Sequence, residues 1–188
     1  MKNALIVIFV IIFIVGIIAG VFVSNYNGFV RMQEDVNAAK STISVQLQRR
    51  ADLIPNFVAT VKGYSEYEKS TLTGVTEARA AVGKAETVSE IGEAGTELDK
   101  AISVWVNAVT EAYPDLKADK QYVALEDELA GTENRIAITR KDYNDAATKY
   151  NKKVRSFPSN IVASMFNFEK VELFAENEGA ATAPTVEF

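Results

Sequence analysis

The sequence predicts an all-α protein, in which an N-terminal transmembrane helix continues into a long antiparallel helical bundle of about four helices. Residues Ala4 to Val23 form an unbroken run of twenty residues without a charged side chain. Beyond this run, apolar residues recur at intervals of three, four or seven, which is the helical period. Prolines are few and widely spaced, so that long segments are free of helix-ending residues.

The apolar run has the length of a membrane span. At about 1.5 Å per residue, it covers the roughly 30 Å hydrocarbon core of a bilayer, and a lipid-exposed backbone must be helical there. A cleaved signal peptide is the alternative, but its apolar core is shorter, at about 7 to 15 residues. Bulky Ile17 and Phe22 also stand where a cleavage site needs small residues. We therefore predict an uncleaved anchor over residues 1–24.

The anchor carries two further patterns. Gly16, Gly20 and Ser24 place small residues on one helix face, where two membrane helices can approach closely, and this predicts a homo-oligomer. At the membrane exit, Tyr26 with Phe22 and Phe29 is predicted to form an interfacial aromatic belt. Positive charges on the two sides are nearly balanced, so the side of the soluble domain stays open.

The soluble part, predicted as one helical-bundle domain over residues 25–175, begins by continuing the anchor helix. Its first apolar stripe comprises Met32, Val36, Ala39, Ile43 and Leu47. Pro55 lacks an N–H and disfavours helix at the residue before it. We expect a turn or sharp kink there, with a second helix from Pro55 to about Val82 that includes Tyr64 and Glu68 on its stripe.

Two more long helices are predicted after a polar connection at residues 83–89. The third carries Ile91, Leu98, Ile102, Trp105, Val109 and Ala112 on one stripe, and Pro114 ends it. The fourth, residues 119–155, contains no proline and would be on the order of 55 Å long. Its stripe comprises Tyr122, Leu125, Leu129, Thr132, Ile136, Tyr143, Tyr150, Val154 and Phe157. Such long helices pack as antiparallel neighbours.

The C-terminal region combines a short apolar helix with a polar tail. Ser159 is expected to cap a helix that carries Ile161, Val162, Met165, Phe166 and Phe168. We expect this helix to close one end of the bundle; the alternative is a second contact with a membrane or a partner. The tail, residues 176–188, is rich in Ala, Gly and Thr and is predicted to be poorly ordered.

Charged and amide side chains predict a structural polar network that fixes the register of the first helices against the fourth. Its members are Arg49, Arg50, Asp52, Glu126, Glu133, Asn134, Arg135, Tyr143, Asn144, Tyr150 and Asn151. The two Tyr-Asn pairs lie one heptad apart, so we expect packed tyrosines with bonded hydroxyls and asparagines that set helix register. A peptide-binding groove is the alternative interpretation of these pairs.

Composition argues against catalysis. The chain has no cysteine and no histidine, which excludes a thiolate nucleophile, disulfides, and the commonest general base and transition-metal ligand. Glu126, Asp127, Glu128 and Glu133 follow one another on one predicted helix, whereas paired-carboxylate catalysis and oxygen-ligated metal sites need converging groups. We predict no catalytic residue, cofactor or metal, with a weak Ca²⁺ or Mg²⁺ site as the alternative. The net charge of −5 argues against nucleic acid.

Several blocks of the sequence resemble those of the LemA family and follow in the same order. They are Arg49-Arg50-Ala51-Asp52-Leu53-Ile54-Pro55-Asn56, Val61-Lys62-Gly63-Tyr64, Ala112-Tyr113-Pro114-Asp115-Leu116-Lys117, Glu126-Asp127-Glu128-Leu129, Thr132-Glu133-Asn134-Arg135-Ile136, Tyr143-Asn144, Tyr150-Asn151, Phe157-Pro158 and Ala183-Pro184-Thr185-Val186-Glu187-Phe188. Two residues depart from the family pattern: Tyr67, where many members have His, and Asn167, where Gly is usual. The second departure puts the turn near the C-terminus in question.

The resemblance implies a single-pass protein of the bacterial inner membrane with a helical-bundle domain and no known enzymatic activity. Its MamQ-like members are linked to magnetosome-membrane formation. Two functions then remain: a membrane-anchored scaffold that organises itself, lipids or other membrane proteins, and an adaptor in membrane signalling or stress response that binds one specific protein. The lipid bilayer and a second copy of the chain are the expected partners, and a membrane-protein partner stays unidentified.

Overall fold

The computed structural model of the chain describes residues 2–62 and 69–174. Five α-helices and one 3-10 helix form there, and these ranges contain no strand, so the all-α prediction is confirmed. The α-helices are α1 Lys2–Lys62, α2 Lys69–Val82, α3 Val88–Ala112, α4 Lys120–Arg155 and α5 Ser159–Met165, and the 3-10 helix is Pro114–Ala118. The predicted tail and the stripe residues Tyr64 and Glu68, with Tyr67, lie outside the described residues.

The chain divides into two compact units. The anchor unit comprises Met1–Ala38 and Asp145–Val171, and the core unit comprises Ala39–Asn144 and Glu172–Phe188. Helices α1 and α4 contribute to both. The predicted domain limits at residues 24 and 175 stay a prediction.

Helices α1 and α4 each bury every seventh residue over a long stretch. The buried residues are Phe29, Val36, Ile43, Arg50 and Phe57 in α1, and Tyr122, Leu129, Ile136, Tyr143 and Tyr150 in α4. In the core unit the Phe57 ring meets the Tyr122 ring edge-on at 5.0 Å between centroids, and Arg50 bonds to the Leu129 carbonyl. The numbers rise along one helix as they fall along the other, so α1 and α4 pack antiparallel, with a period typical of knobs-into-holes packing.

Pro55 lies inside α1, so the prediction that a second helix begins there was wrong. Its missing N–H and its ring disfavour helix by about 3 kcal/mol. Ile54, Phe57 and Val61 are buried in the core cluster on either side of it. Each such side chain contributes about 1.5–3 kcal/mol on full burial, so packing outweighs the defect and keeps the segment helical.

Helix α3 confirms the predicted third helix but begins within the expected connection. Thr87 is its N-cap: the hydroxyl oxygen accepts a hydrogen bond from the Glu90 N–H, and the Glu90 carboxylate accepts from the Thr87 N–H. The bond from the Thr87 N–H and one from the Glu86 N–H stabilise the carboxylate and lower the pKa of Glu90. This capping box explains why the helix already starts at Val88.

The other end of α3 and the start of α4 follow the prediction. Helix α3 stops at Ala112, and the 3-10 helix begins at Pro114. Helix α4 spans nearly the whole proline-free segment. It ends at Arg155, however, so Phe157 does not belong to its buried stripe and is 82% exposed, contrary to prediction.

Ser159 does not cap α5 as predicted, because Pro158 occupies the N-cap position and no side chain caps the helix. The buried Ser159 hydroxyl instead lies 2.7 and 2.8 Å from the carbonyl oxygens of Lys153 and Ser156, at the C-terminal end of α4.

Asn167 ends α5 in the left-handed region, with φ of 55°. The Phe168 N–H donates to the Ala163 carbonyl, which is the 6→1 bond of a Schellman motif. Asparagine is the side chain that best tolerates this conformation after glycine, so the turn forms although the usual glycine is absent.

Candidate functional site

The N-terminal part of α1 presents apolar side chains on all sides. Within the described ranges α1 is the one helix long and apolar enough, by length and composition, to cross a membrane, and none of its most apolar stretch is buried. Gly16, Gly20 and Ser24 are exposed on it, and a Cβ added at either glycine would meet nothing within 4 Å. The predicted N-terminal apolar helix is confirmed, and an uncovered apolar surface of this extent indicates association with a membrane.

The aromatic residues just beyond the apolar run lie in the anchor unit and contact the segment around α5. The Tyr26 ring is 4.8 Å from the Phe166 ring and 5.7 Å from that of Phe168, between centroids. Phe29 is fully buried between Tyr150 and Phe168, so its predicted place in an interfacial belt was wrong. It occupies a heptad position of α1 and therefore faces α4.

A lysine from α4 closes this aromatic cluster. The Lys153 ammonium lies 4.8 Å from the centroid of the Phe29 ring, a cation–π contact. Burial, and then the charge of Arg31, lower the pKa of Lys153. A Cβ at Gly28 would collide with the Lys153 ammonium, so glycine leaves the space that this side chain uses.

Arg50 is the centre of the polar network in the core unit, and its side chain is only 4% exposed. One terminal nitrogen donates to the Leu129 carbonyl at 2.7 Å and to the Thr132 hydroxyl at 3.3 Å, and the other lies 3.6 Å from the Glu133 carboxylate. Nε lies 2.9 Å from Oδ1 of Asp99 on α3, but its N–H is not aimed at that oxygen, so this contact is Coulombic. One guanidinium therefore joins α1, α3 and α4.

Asp99 is the partner that the sequence interpretation missed. Burial raises the pKa of Asp99, while the charges of Arg50 and Arg140 lower it and that of Glu133 raises it. The signal that could have found it is its place on the apolar stripe of α3, four residues after buried Gly95. A Cβ at Gly95 would meet the Arg140 guanidinium and, at 3.1 Å, Leu47.

The other predicted network residues of the core unit form exposed ion pairs or lie singly on the surface. Arg49 and Arg135 both contact the same oxygen of Glu128 at 2.9 Å, and Asp52 lies 3.4 Å from Arg79. These contacts are solvent-accessible and contribute little to stability.

Among the described residues, two predicted members make no side-chain hydrogen bond or ion pair with Arg50 or its partners. Glu126 and Asn134 are exposed on α4. Among the predicted partners the structure thus brings Arg50 to Glu133 but not to Glu126, Asn134 or Arg135.

Asn144 and Asn151 each hold one residue of the segment after α5 by two hydrogen bonds. In the core unit, the Asn144 amide donates to the Phe174 carbonyl at 3.0 Å and accepts from the Phe174 N–H at 2.9 Å. In the anchor unit, Asn151 makes the same pair of bonds with Val171, at 2.8 and 2.9 Å. Each asparagine thus satisfies both backbone groups of a non-helical residue, as a neighbouring strand would.

The tyrosines of the two Tyr-Asn pairs are buried beside these contacts. The Tyr143 hydroxyl donates to the Glu172 carbonyl at 2.8 Å, and its ring meets Phe174 edge-on. Burial raises the pKa of both Tyr143 and Tyr150, so both remain protonated donors at neutral pH. The groups that the Tyr143-Asn144 pair and Asn151 bind thus belong to the chain's own segment after α5.

The described residues contain no group of three or more acidic, histidine or cysteine side chains placed to hold a metal ion.

Comparison with known proteins identifies the family. The LemA family profile matches residues 39–188. Protein LemA of Metamycoplasma hominis is 30% identical over 174 residues, which cover 90% of this chain and 78% of that protein. Magnetosome protein MamQ 2 of Paramagnetospirillum magneticum is 29% identical over 183 residues, and magnetosome protein MamQ of Magnetospirillum gryphiswaldense is 26% identical over 183; each match covers 84% of this chain and 67% of the relative. This chain belongs to the LemA family.

Proposed function

We propose that this protein is a non-enzymatic scaffold of the bacterial inner membrane, held there by a single span at the start of α1. The observation that carries the proposal is that one continuous helix begins with an uncovered apolar stretch and then supplies the buried heptad positions of a packed bundle. The LemA family and the likeness to magnetosome proteins fit a membrane-associated protein.

The residue chemistry supports a structural role over catalysis. The chain has no histidine or cysteine. The most buried charged side chain of the described residues, Arg50, contacts Asp99, Leu129, Thr132 and Glu133. A buried cation that lies among groups of three helices holds those helices in register.

Self-association through the anchor is the proposed means of organisation. Gly16, Gly20 and Ser24 lie on one face of α1 and expose backbone, and lipid tails give no hydrophobic drive between helices. Close backbone packing between two copies is the interaction that such a face favours.

Particle mass in native lipid discs tests the scaffold. We expect the unmodified protein to form homo-oligomers, and Gly16→Ile with Gly20→Ile to reduce their mass, because the added branches keep the backbones apart. Ile14→Phe with Ile18→Phe is the matched control, since at about 100° per residue these positions lie on the opposite face. A monomer, or one copy bound to one stoichiometric foreign protein, would contradict the scaffold and favour the adaptor.

A further inference from the structure

Helix α5 and the residues that flank it carry apolar side chains that the described part of the chain leaves largely exposed. Phe157, Ile161, Met165 and Phe166, which we call the α5 patch, are 82%, 44%, 62% and 50% exposed. Ile161 and Met165 are four residues apart and share one face of α5, while Val162 and Ala163 pack into the anchor unit on the other. A helix end exposed only to water would carry polar residues on its outer face.

The place of the α5 patch in the anchor unit indicates what covers it. Phe166 packs on Tyr26, which follows the last apolar-run residue, Val23, by three positions, or about 4.5 Å of helix. The headgroup region on each side of the hydrocarbon core is about 5–7 Å deep. If the apolar run spans the bilayer, Phe166 therefore lies at headgroup depth.

The charge around the α5 patch is opposite to that of the whole chain. Residues 149–170 contain five basic residues and one acidic residue, a net charge of +4, whereas the chain carries −5. Lys149, Lys152, Arg155 and Lys170 are exposed. Exposed aromatic and aliphatic residues together with lysine and arginine are typical of surfaces that enter an anionic membrane interface.

From this depth, exposure and charge, we propose that the α5 patch and these four basic residues form a second membrane contact, which enters the headgroup region of an anionic bilayer beside the anchor. The inference rests on the proposed anchoring by α1. It gives the protein two attachment points, so that the anchor unit is held in a defined orientation at the lipid surface.

Depth-dependent fluorescence quenching tests this contact on the full chain. The protein has no cysteine, so Met165→Cys, Val104→Cys and Val15→Cys each provide one site for an environment-sensitive dye. The labelled proteins are reconstituted into vesicles of phosphatidylcholine and phosphatidylglycerol that contain nitroxide-labelled lipid. Val104 is the matched control, because it is 61% exposed in the core unit, close to the exposure of Met165.

We expect strong quenching at position 15, clear quenching at 165 and none at 104. Quenching at position 15 together with no more quenching at 165 than at 104 would overturn the second contact and leave the anchor in place. A dye at 165 that is shielded from water yet unquenched would also overturn it, in favour of a protein partner. Absence of quenching at position 15 would refute the anchoring as well.

The contribution of the basic residues to this membrane contact is tested separately. Lys152→Glu with Arg155→Glu should reduce quenching at position 165 in phosphatidylglycerol vesicles several-fold, whereas Lys117→Glu with Lys120→Glu, exposed in the core unit, should leave it unchanged. Equal quenching at position 165 in the two charge-reversed variants would contradict recognition of anionic lipid. Quenching in vesicles of phosphatidylcholine alone that equals the quenching with phosphatidylglycerol would contradict it as well.

Discussion

Replacing Arg50 by alanine is expected to destabilise the core unit strongly, because this side chain joins three helices from a buried position. Removing one member of a buried ion pair typically costs about 3–5 kcal/mol. Here the partners are partly solvated, with the Asp99 side chain 33% and that of Glu133 65% exposed, so water recovers part of the loss. The Leu129 carbonyl also keeps a hydrogen bond from the Thr132 hydroxyl at 2.7 Å.

These considerations give an expected loss of about 2–4 kcal/mol for Arg50→Ala. Thermal unfolding in detergent, followed by circular dichroism, should show a melting temperature lower by about 4–16 °C. The adjacent Arg49→Ala is the matched control. It removes only an exposed pair with Glu128 and should change stability by about 0–1 kcal/mol. Equal effects of the two substitutions would refute the argument that burial of Arg50 decides its contribution.

The stability deficit of Arg50→Ala should also depend on pH through Asp99. Burial raises the folded-state pKa of Asp99 and Arg50 lowers it, so the variant raises that pKa further. A carboxyl with a raised folded pKa favours the folded state below its unfolded pKa, and this contribution is lost as pH rises through the folded pKa. The deficit should therefore be largest near neutral pH and shrink in acid. In a chain that also carries Asp99→Asn, the deficit of Arg50→Ala should no longer depend on pH. A deficit that grows in acid would contradict this assignment.

Two further predictions concern local contacts, and a third concerns metal removal. Asn151→Ala should lower the stability by about 1–3 kcal/mol through two lost hydrogen bonds and speed amide hydrogen exchange at Val171. Exposed Asn134→Ala is the control and should change neither quantity. Unchanged exchange at Val171 in Asn151→Ala would contradict the assigned hydrogen bonds. Asn167→Ala should cost about 1 kcal/mol because of its left-handed φ, and Asn167→Gly should be neutral or stabilising in the same melts; the reverse order would exclude the turn. A chelator should leave the melting temperature unchanged, and a fall of several degrees would instead reveal a structural metal.

Elements with a long apolar period could be predicted from the sequence, because helical packing repeats the same pattern over many turns. The proline-free segment predicted α4, and Pro114 predicted the end of α3. Pro55 was misjudged, because a local backbone preference says nothing of the tertiary burial that overrides it.

Pairing between distant residues was harder to predict than the helices. Arg50 could be singled out by its motif, and the position of Asp99 on the apolar stripe of α3 marks it as partly buried. The pairing of the two could not be predicted, since no periodicity identifies which helix lies opposite. Likewise the heptad spacing of Asn144 and Asn151 indicated a shared role in register. The backbone groups that they bind belong to a segment without a repeating pattern.

Extraction from isolated membranes tests the central claim, that the start of α1 anchors the protein in a bilayer. Burial of some twenty apolar residues is not electrostatic, so salt and alkaline carbonate should leave the full chain in the membrane pellet. The same chain without residues 2–24 should be released by these washes. Release of the full chain by either wash would contradict the anchor and, with it, the proposed scaffold.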